Sequence, residues 1–328
     1  MARYSTFPSL LFVLIYVSPG LSNYPEVWDS YVDAALYGDP VEFEAHVGPL
    51  ADMVTVAYTG DFNTTVEGWD LIARNDPEVG MHAVVYKETG ATNDRVVIAF
   101  RGTQLTPTPE GQCDLCAGQF LAGETLDEYC EQFTSDQIDY YTQAKNFTQT
   151  IQSDFPCACV LFTGHSLGGE LGELMSNFYY GSQLSAIVFG SGGSKESGPA
   201  LGAGDNFDNI INIYDKYDPA VNLPDPSLVV GTKCEFQTAM TENCEQCYSG
   251  NVPSAACQEC FNETHLFFNV LYLVHDSGTR PVCYTQTGGG EWTPVTGDST
   301  SLRSHIAVYA TFLAFLQVVI IFTNQQSY

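Results

Sequence analysis

The stretch Cys159–Gly169 constrains the fold more than any other. An apolar and β-branched run, Cys159 to Thr163, leads into Gly164-His165-Ser166-Leu167-Gly168 and then into a helical stretch ending near Tyr180. That order is strand, sharp turn, helix, with a serine at the apex of the turn. Such a serine must adopt a strained backbone that presses its neighbours against strand and helix. A Cβ at Gly164 or Gly168 would clash there. The helix start brings backbone N–H groups beside the hydroxyl, where an oxyanion would form. The bland alternative is a glycine-rich turn with an inert serine. The strand and helix on either side argue against it.

Elsewhere, segments with strand patterns alternate with helical ones. Tyr24–Gly38 carries Trp28, Tyr31, Val32, Ala35 and Leu36 at helical spacing, and Pro49–Tyr58 reads as a second short helix. Met81–Lys87, Arg95–Phe100, Leu184–Phe189 and Asn209–Tyr214 read as strands, and Ser135–Phe155 as a polar helix. Gln104–Tyr129, with its prolines, glycines and cysteines, reads as a loop or lid. Phe267–Val274 reads as a strand. This alternation predicts an α/β fold with a mostly parallel central sheet and helices on both faces.

Thr232–Cys283 breaks the pattern and reads as a cysteine-rich insertion (232–284) in a single domain spanning 23–328. Its six cysteines are Cys234, Cys244, Cys247, Cys257, Cys260 and Cys283. Paired C-x-x-C motifs suit zinc, but only nine residues separate these two, and disulfides are the expectation. Residues 1–22 have the pattern of a secretory signal: Arg3, an apolar Leu10–Val17 and a small-residue exit. Asn63, Asn146 and Asn262 each head an N-x-Thr triplet, so glycosylation on a secreted protein is expected. The 39 acidic and 11 basic residues give a formal charge of −28, which makes nucleic acid a poor partner. No cofactor or metal is implied, and oligomeric state is left open.

A serine hydroxyl attacks only when a base takes its proton and a third group holds that base. In a fold of this kind the chain order is serine, acid, histidine. Asp215 and Asp218 follow a strand, and His265, His275 and His305 come after them. His165 reads as a packing or supporting group and Arg101 as an ion-pair partner. The carboxyls of Glu170 and Glu173, close to the nucleophile, would repel anionic substrates.

Here the chain resembles the fungal-lipase-like, or class 3, lipases of the α/β-hydrolase fold. Val97-Ile98-Ala99-Phe100-Arg101-Gly102-Thr103 is similar to that family's strand and oxyanion turn, and Gly164–Gly169 to its nucleophile elbow. Asp218-Pro219-Ala220-Val221-Asn222-Leu223-Pro224 looks like its acid motif. His305 with Tyr309 resembles its terminal histidine and aromatic. The resemblance implies Ser166 as nucleophile, Asp218 as acid, His305 as base, and the backbone N–H groups of Thr103 and Leu167 as oxyanion donors. It implies hydrolysis of carboxylic esters, foremost acylglycerols; a lipid–water interface is one setting, although the lid stretch offers only Leu115, Phe120, Leu121 and Leu126 as apolar groups for it. Phospholipids, galactolipids and feruloyl esters are alternatives, as is a silent binding protein on the same scaffold. The apolar stretch Ile306–Phe322 reads as a buried helix, with a membrane anchor or a cleaved lipid-anchor signal as the lesser alternative.

Overall fold

The computed structural model describes residues 26–90, 95–156, 158–179, 185–205, 207–222, 229–249, 255–286 and 291–295. The expected signal segment, His305, Tyr309 and Ile306–Phe322 lie outside them. The strands are β1 (Trp69–Asn75), β2 (Ala83–Glu88), β3 (Arg95–Phe100), β4 (Cys159–Gly164), β5 (Ser185–Phe189), β6 (Ile210–Asp215), β7 (Thr232–Phe236), β8 (Val282–Gln286) and β9 (Trp292–Pro294). They form one sheet in sequence order. β3 to β7 pair in parallel, and antiparallel strands close both edges.

The helices are α1 (Asp29–Tyr37), α2 (Pro40–Thr59), α3 (Pro109–Leu121), α4 (Ser135–Ile138), α5 (Tyr140–Asp154), α6 (Leu167–Phe178), α7 (Ser197–Leu201), α8 (Pro219–Asn222), α9 (Glu242–Ser249), α10 (Ala255–Thr264) and α11 (Phe267–His275). Right-handed crossovers between parallel strands that always step the same way put their helices on one face of the sheet. The other face is left for elements from outside the crossovers, and the two hydrophobic cores follow that division. Val96, Ile98 and Phe100 of β3 pack with residues of α3, α5 and α6. Val97 and Ala99, pointing the opposite way, pack with α1, α2 and α11. Burial on both faces explains why β3 to β6 read as continuous apolar runs.

Local chemistry explains several departures from the sequence reading. α2 starts nine residues before Pro49, because Asp39 caps it: its carboxylate accepts from Val41 N and Glu42 N, and Glu42 answers the Asp39 N–H. α3 occupies the segment read as a loop or lid. Thr108 caps it, Pro109 takes its first turn, and a Cβ on Gly111 would come 2.2 Å from the Thr106 carbonyl. Cys116–Cys130 then ties the helix to the turn beyond it. The run 267–274 is helical, with Phe267, Val270 and Val274 buried at helical spacing; a short apolar run cannot by itself tell strand from helix. β1 was not expected at all.

The cysteine-rich segment is no appendage. Its first strand, β7, continues the parallel sheet, and β8 pairs with it through Cys234–Cys283. Cys244–Cys260 and Cys247–Cys257 staple α9 to α10. All six cysteines of the segment are thus paired as disulfides. Among the described residues, no helix is long and apolar enough to cross a membrane.

Candidate active site

Ser166 ends the short turn between β4 and α6 with φ 55° and ψ −126°. It is the one non-glycine residue at positive φ among the described residues. The conformation is costly for an L-residue and is held from every side. Ser166 N donates to the Phe189 carbonyl of β5 (3.0 Å), and Gly168 N to the His165 carbonyl (2.9 Å). The two glycines are obligatory. A Cβ on Gly164 would lie 2.3 Å from the Gly168 carbonyl oxygen, and one on Gly168 2.3 Å from that of Phe100.

Asp218 follows β6 and is fully buried. Its Oδ1 accepts from Ala220 N at 2.9 Å. Its Oδ2 lies 2.8 Å from Nδ1 of His265, whose Nε2 lies 2.9 Å from Ser166 Oγ. A carboxylate only accepts, so Nδ1 carries the proton and Nε2 presents a lone pair to the serine hydroxyl. The histidine joining Ser166 and Asp218 is therefore His265; the expected His305 lies outside the described residues. His265 stands three residues after Asn262, the head of a glycosylation triplet. The sequence also gave no sign that α10 would end against the acid loop. Tyr248 Oη of α9 donates to the Asp218 carbonyl (3.3 Å), and Thr264 Oγ1 lies 3.4 Å from that of Tyr217. The stapled α9–α10 pair thus carries His265 to Asp218.

The other candidates have different partners. Asp215 accepts from Tyr217 N (2.8 Å) and Thr238 Oγ1 (2.9 Å), which closes the turn before Asp218. His275, at the end of α11, faces α2: its Nε2 lies 3.1 Å from Asp52, and its Nδ1 3.7 Å from Glu44. Hydrogen bonding to Asp52 leads the effects that raise its pKa. Arg101 is an ion-pair partner as expected. It is 4 % exposed, donates from Nη2 to both carboxylate oxygens of Asp114 (3.0 and 3.2 Å) and also contacts Glu110. Asp114 in turn accepts from Tyr140 Oη (2.6 Å) and Gln104 N (2.9 Å). One buried carboxylate therefore bolts α3 to the turn Arg101-Gly102-Thr103-Gln104.

The expectation for Glu170 and Glu173 needs correcting. Neither lines the cavity at Ser166. Burial pushes the Glu170 carboxyl up to about 7 and the Glu173 carboxyl up to about 8. Ser197 Oγ donates to Glu170 at 3.0 Å. The hydroxyls of Ser191 and Ser194 offset part of the rise at Glu173, yet neither of its oxygens has a well-aligned hydrogen bond. At neutral pH Glu173 is mostly uncharged and adds little repulsion at the site.

The cavity over Ser166 and His265 has a volume of about 280 Å³. Its wall combines Thr103, Gln104 and Leu105 of the turn after β3, Thr55 and Tyr58 of α2, and Phe261, Leu266, Phe267 and Phe268 around His265. Leu105 and Phe268 form an exposed apolar rim. Thr103 faces the cavity. Leu167 opens α6, where the first N–H groups of a helix have no intrahelical acceptor. Sequence reading missed Gly190, at φ 54° after β5. A Cβ there would crowd Asp218 Oδ2 and His165 Nε2, each at 3.3 Å.

Sheet, elbow and bridging histidine together define an α/β-hydrolase fold with a Ser-His-Asp arrangement. The chain matches no protein-family model and no curated protein. Among solved structures it is similar to lipase II from Rhizopus niveus (15% identity, TM-score 0.39, 61% of this chain and 81% of that one). It is also similar to a mutant form of MDLA from Penicillium cyclopium (15%, 0.43, 73% and 97%). A triacylglycerol lipase from Penicillium expansum is a third (16%, 0.37, 62% and 82%). Likeness at this level carries no argument about the reaction, which has to come from the residues themselves.

Proposed function

We propose that the protein hydrolyses carboxylic esters with apolar acyl groups, foremost acylglycerols, through an acyl-enzyme on Ser166. The observation that carries this reading is the buried chain Asp218–His265–Ser166, with both hydrogen bonds under 3 Å, opening on an apolar cavity. His265 Nε2 takes the proton as Ser166 Oγ attacks the ester carbonyl carbon. Asp218 stabilises the imidazolium that forms. Backbone N–H groups of Thr103 and Leu167 receive the oxyanion. Collapse of the tetrahedral intermediate breaks the bond to the alcohol, which leaves with the proton from His265. A water deprotonated by the same nitrogen then releases the acid.

A cavity of about 280 Å³ walled by aromatic and aliphatic groups suits a single hydrocarbon chain, and its rim of Leu105 and Phe268 suits an apolar surface. A net charge of −28 disfavours anionic phospholipid head groups relative to neutral glycerides. The strained serine argues against a silent binding scaffold, which would have no use for the strain. The test is labelling by a fluorophosphonate, followed by a panel of esters graded by acyl length and head group. Labelling at Ser166 with the highest kcat/KM on neutral acylglycerols supports the reading. An unlabelled folded protein, or a clear preference for feruloyl or charged esters, overturns it.

A further inference from the structure

We infer that Tyr58 and His165 form a positioning relay that holds the backbone of His265 and so sets where the base stands; this rests on the hydrolase reading above. His265 sits between two helices, just after α10 and before the Leu266 cap of α11. Its N–H bonds to the Phe261 carbonyl (2.8 Å), but its own carbonyl is one of the orphans that every helix end leaves. His165 Nε2 fills that vacancy at 2.8 Å. A carbonyl can only accept, so Nε2 carries the hydrogen. A neutral imidazole has one N–H, so Nδ1 must accept, and Tyr58 Oη, 2.9 Å away, donates to it.

The ring is held neutral by its surroundings. His165 is 3 % exposed, burial lowers its pKa well below the ordinary value, and the His265 ring lies 4.8 Å away, centroid to centroid. A second proton would displace the tyrosine hydrogen and place a cation beside the base. The direction of the relay is thus single: tyrosine O–H to Nδ1, Nε2–H to the base's carbonyl. It spans three elements that must keep register, namely α2, the nucleophile turn and the α10–α11 junction. The oxyanion turn rests on the same pair, since a Cβ on Gly102 would lie 2.2 Å from both Tyr58 Oη and the His165 carbonyl. A packing role would need neither bond. Two directional hydrogen bonds in a dry site fix position to a fraction of an ångström, the precision proton transfer demands.

The experiment compares His165→Leu, His165→Gln and Tyr58→Phe with the parent, using a soluble short-chain ester and the rate of fluorophosphonate inactivation. His165→Leu is expected to lower kcat by about 10- to 100-fold with KM within about twofold. Tyr58→Phe, which removes one O–H and keeps the ring, is expected to lose about 3- to 10-fold. Glutamine, whose amide N–H reaches the His265 carbonyl, is expected to recover most of the loss. A folded His165→Leu with parental kcat overturns the relay, as does glutamine behaving like leucine while Tyr58→Phe is silent. Ring-nitrogen NMR of the parent judges the relay without activity. His165 is expected as the uncharged Nε2–H tautomer from about pH 5 to 8, and an Nδ1–H tautomer or an imidazolium there overturns it. A parent that neither labels nor hydrolyses defeats the hydrolase reading and leaves the NMR result to decide the relay.

Discussion

At the scale of single residues, the reading turns on which histidine serves Ser166. Ser166→Ala and His265→Ala are each expected to reduce turnover by about 10³-fold or more, leaving residual catalysis from the oxyanion donors. His305→Ala is expected to leave turnover close to the parent. Parallel kinetics on the three purified variants check this, and a dead His305→Ala beside an active His265→Ala would return the base to His305. The turn at Ser166 was legible in the sequence because it needs glycines at fixed places. The strand end narrowed the acid candidates to Asp215 and Asp218, and the resemblance favoured Asp218. The place of His265 was not legible, because no local backbone rule marks a histidine that comes to the site on a helix end. The signal available was positional: His265 immediately follows the last paired cysteine helix, and His165 beside the nucleophile supplies a donor for its carbonyl.

At the scale of elements, two contacts hold the cavity walls. Asp114 is 1 % exposed and pairs α3 to Arg101 in the turn after β3. Asp114→Ala leaves a buried guanidinium short of its partner and is expected to cost about 3–5 kcal/mol, read from denaturant melts. Replacing Arg101 and Asp114 together with apolar residues is expected to cost less. The second contact joins α11 to α2, where the His275 ring lies against Gly48 between Asp52 and Glu44. Its folded pKa is raised above the ordinary 6.5. The stability it adds is therefore full below about pH 6.5 and is lost as pH rises through the folded value. His275→Gln is expected to lower Tm at pH 5.5 by a few degrees and to leave it unchanged at pH 9. The site is partly exposed, so solvent screens the pair and keeps the effect small. Helix α3 was illegible as a helix because Gly111 and Gly118 lower its propensity. Its cap, its first-turn proline and its buried ion pair override that.

At the scale of the whole molecule, charge and burial act in one direction. Glu173 is fully buried and its carboxyl is pushed up to about 8, from an ordinary 4.5. Between those values the folded chain binds more protons than the unfolded one, so stability falls as pH rises through that window. Added to self-repulsion at a formal charge of −28, this predicts a higher Tm at pH 5.5 than at pH 8.5 and a Tm that rises with salt. Glu173→Gln is expected to flatten the pH dependence, and calorimetry across pH checks it; an unchanged slope would locate the effect elsewhere. The alternating layers of the fold were legible because both sheet faces are buried. The place of the cysteine-rich segment was not, since composition alone does not show that β7 joins the sheet. The stapled α9–α10 pair also ties the site to redox surroundings. Ser166 and Asp218 stand just beyond the ends of β4 and β6, while His265 comes with a segment closed by Cys244–Cys260 and Cys247–Cys257. Hydrolysis by the proposed route would then depend on those four thiols being oxidised, and so on a compartment that forms disulfides.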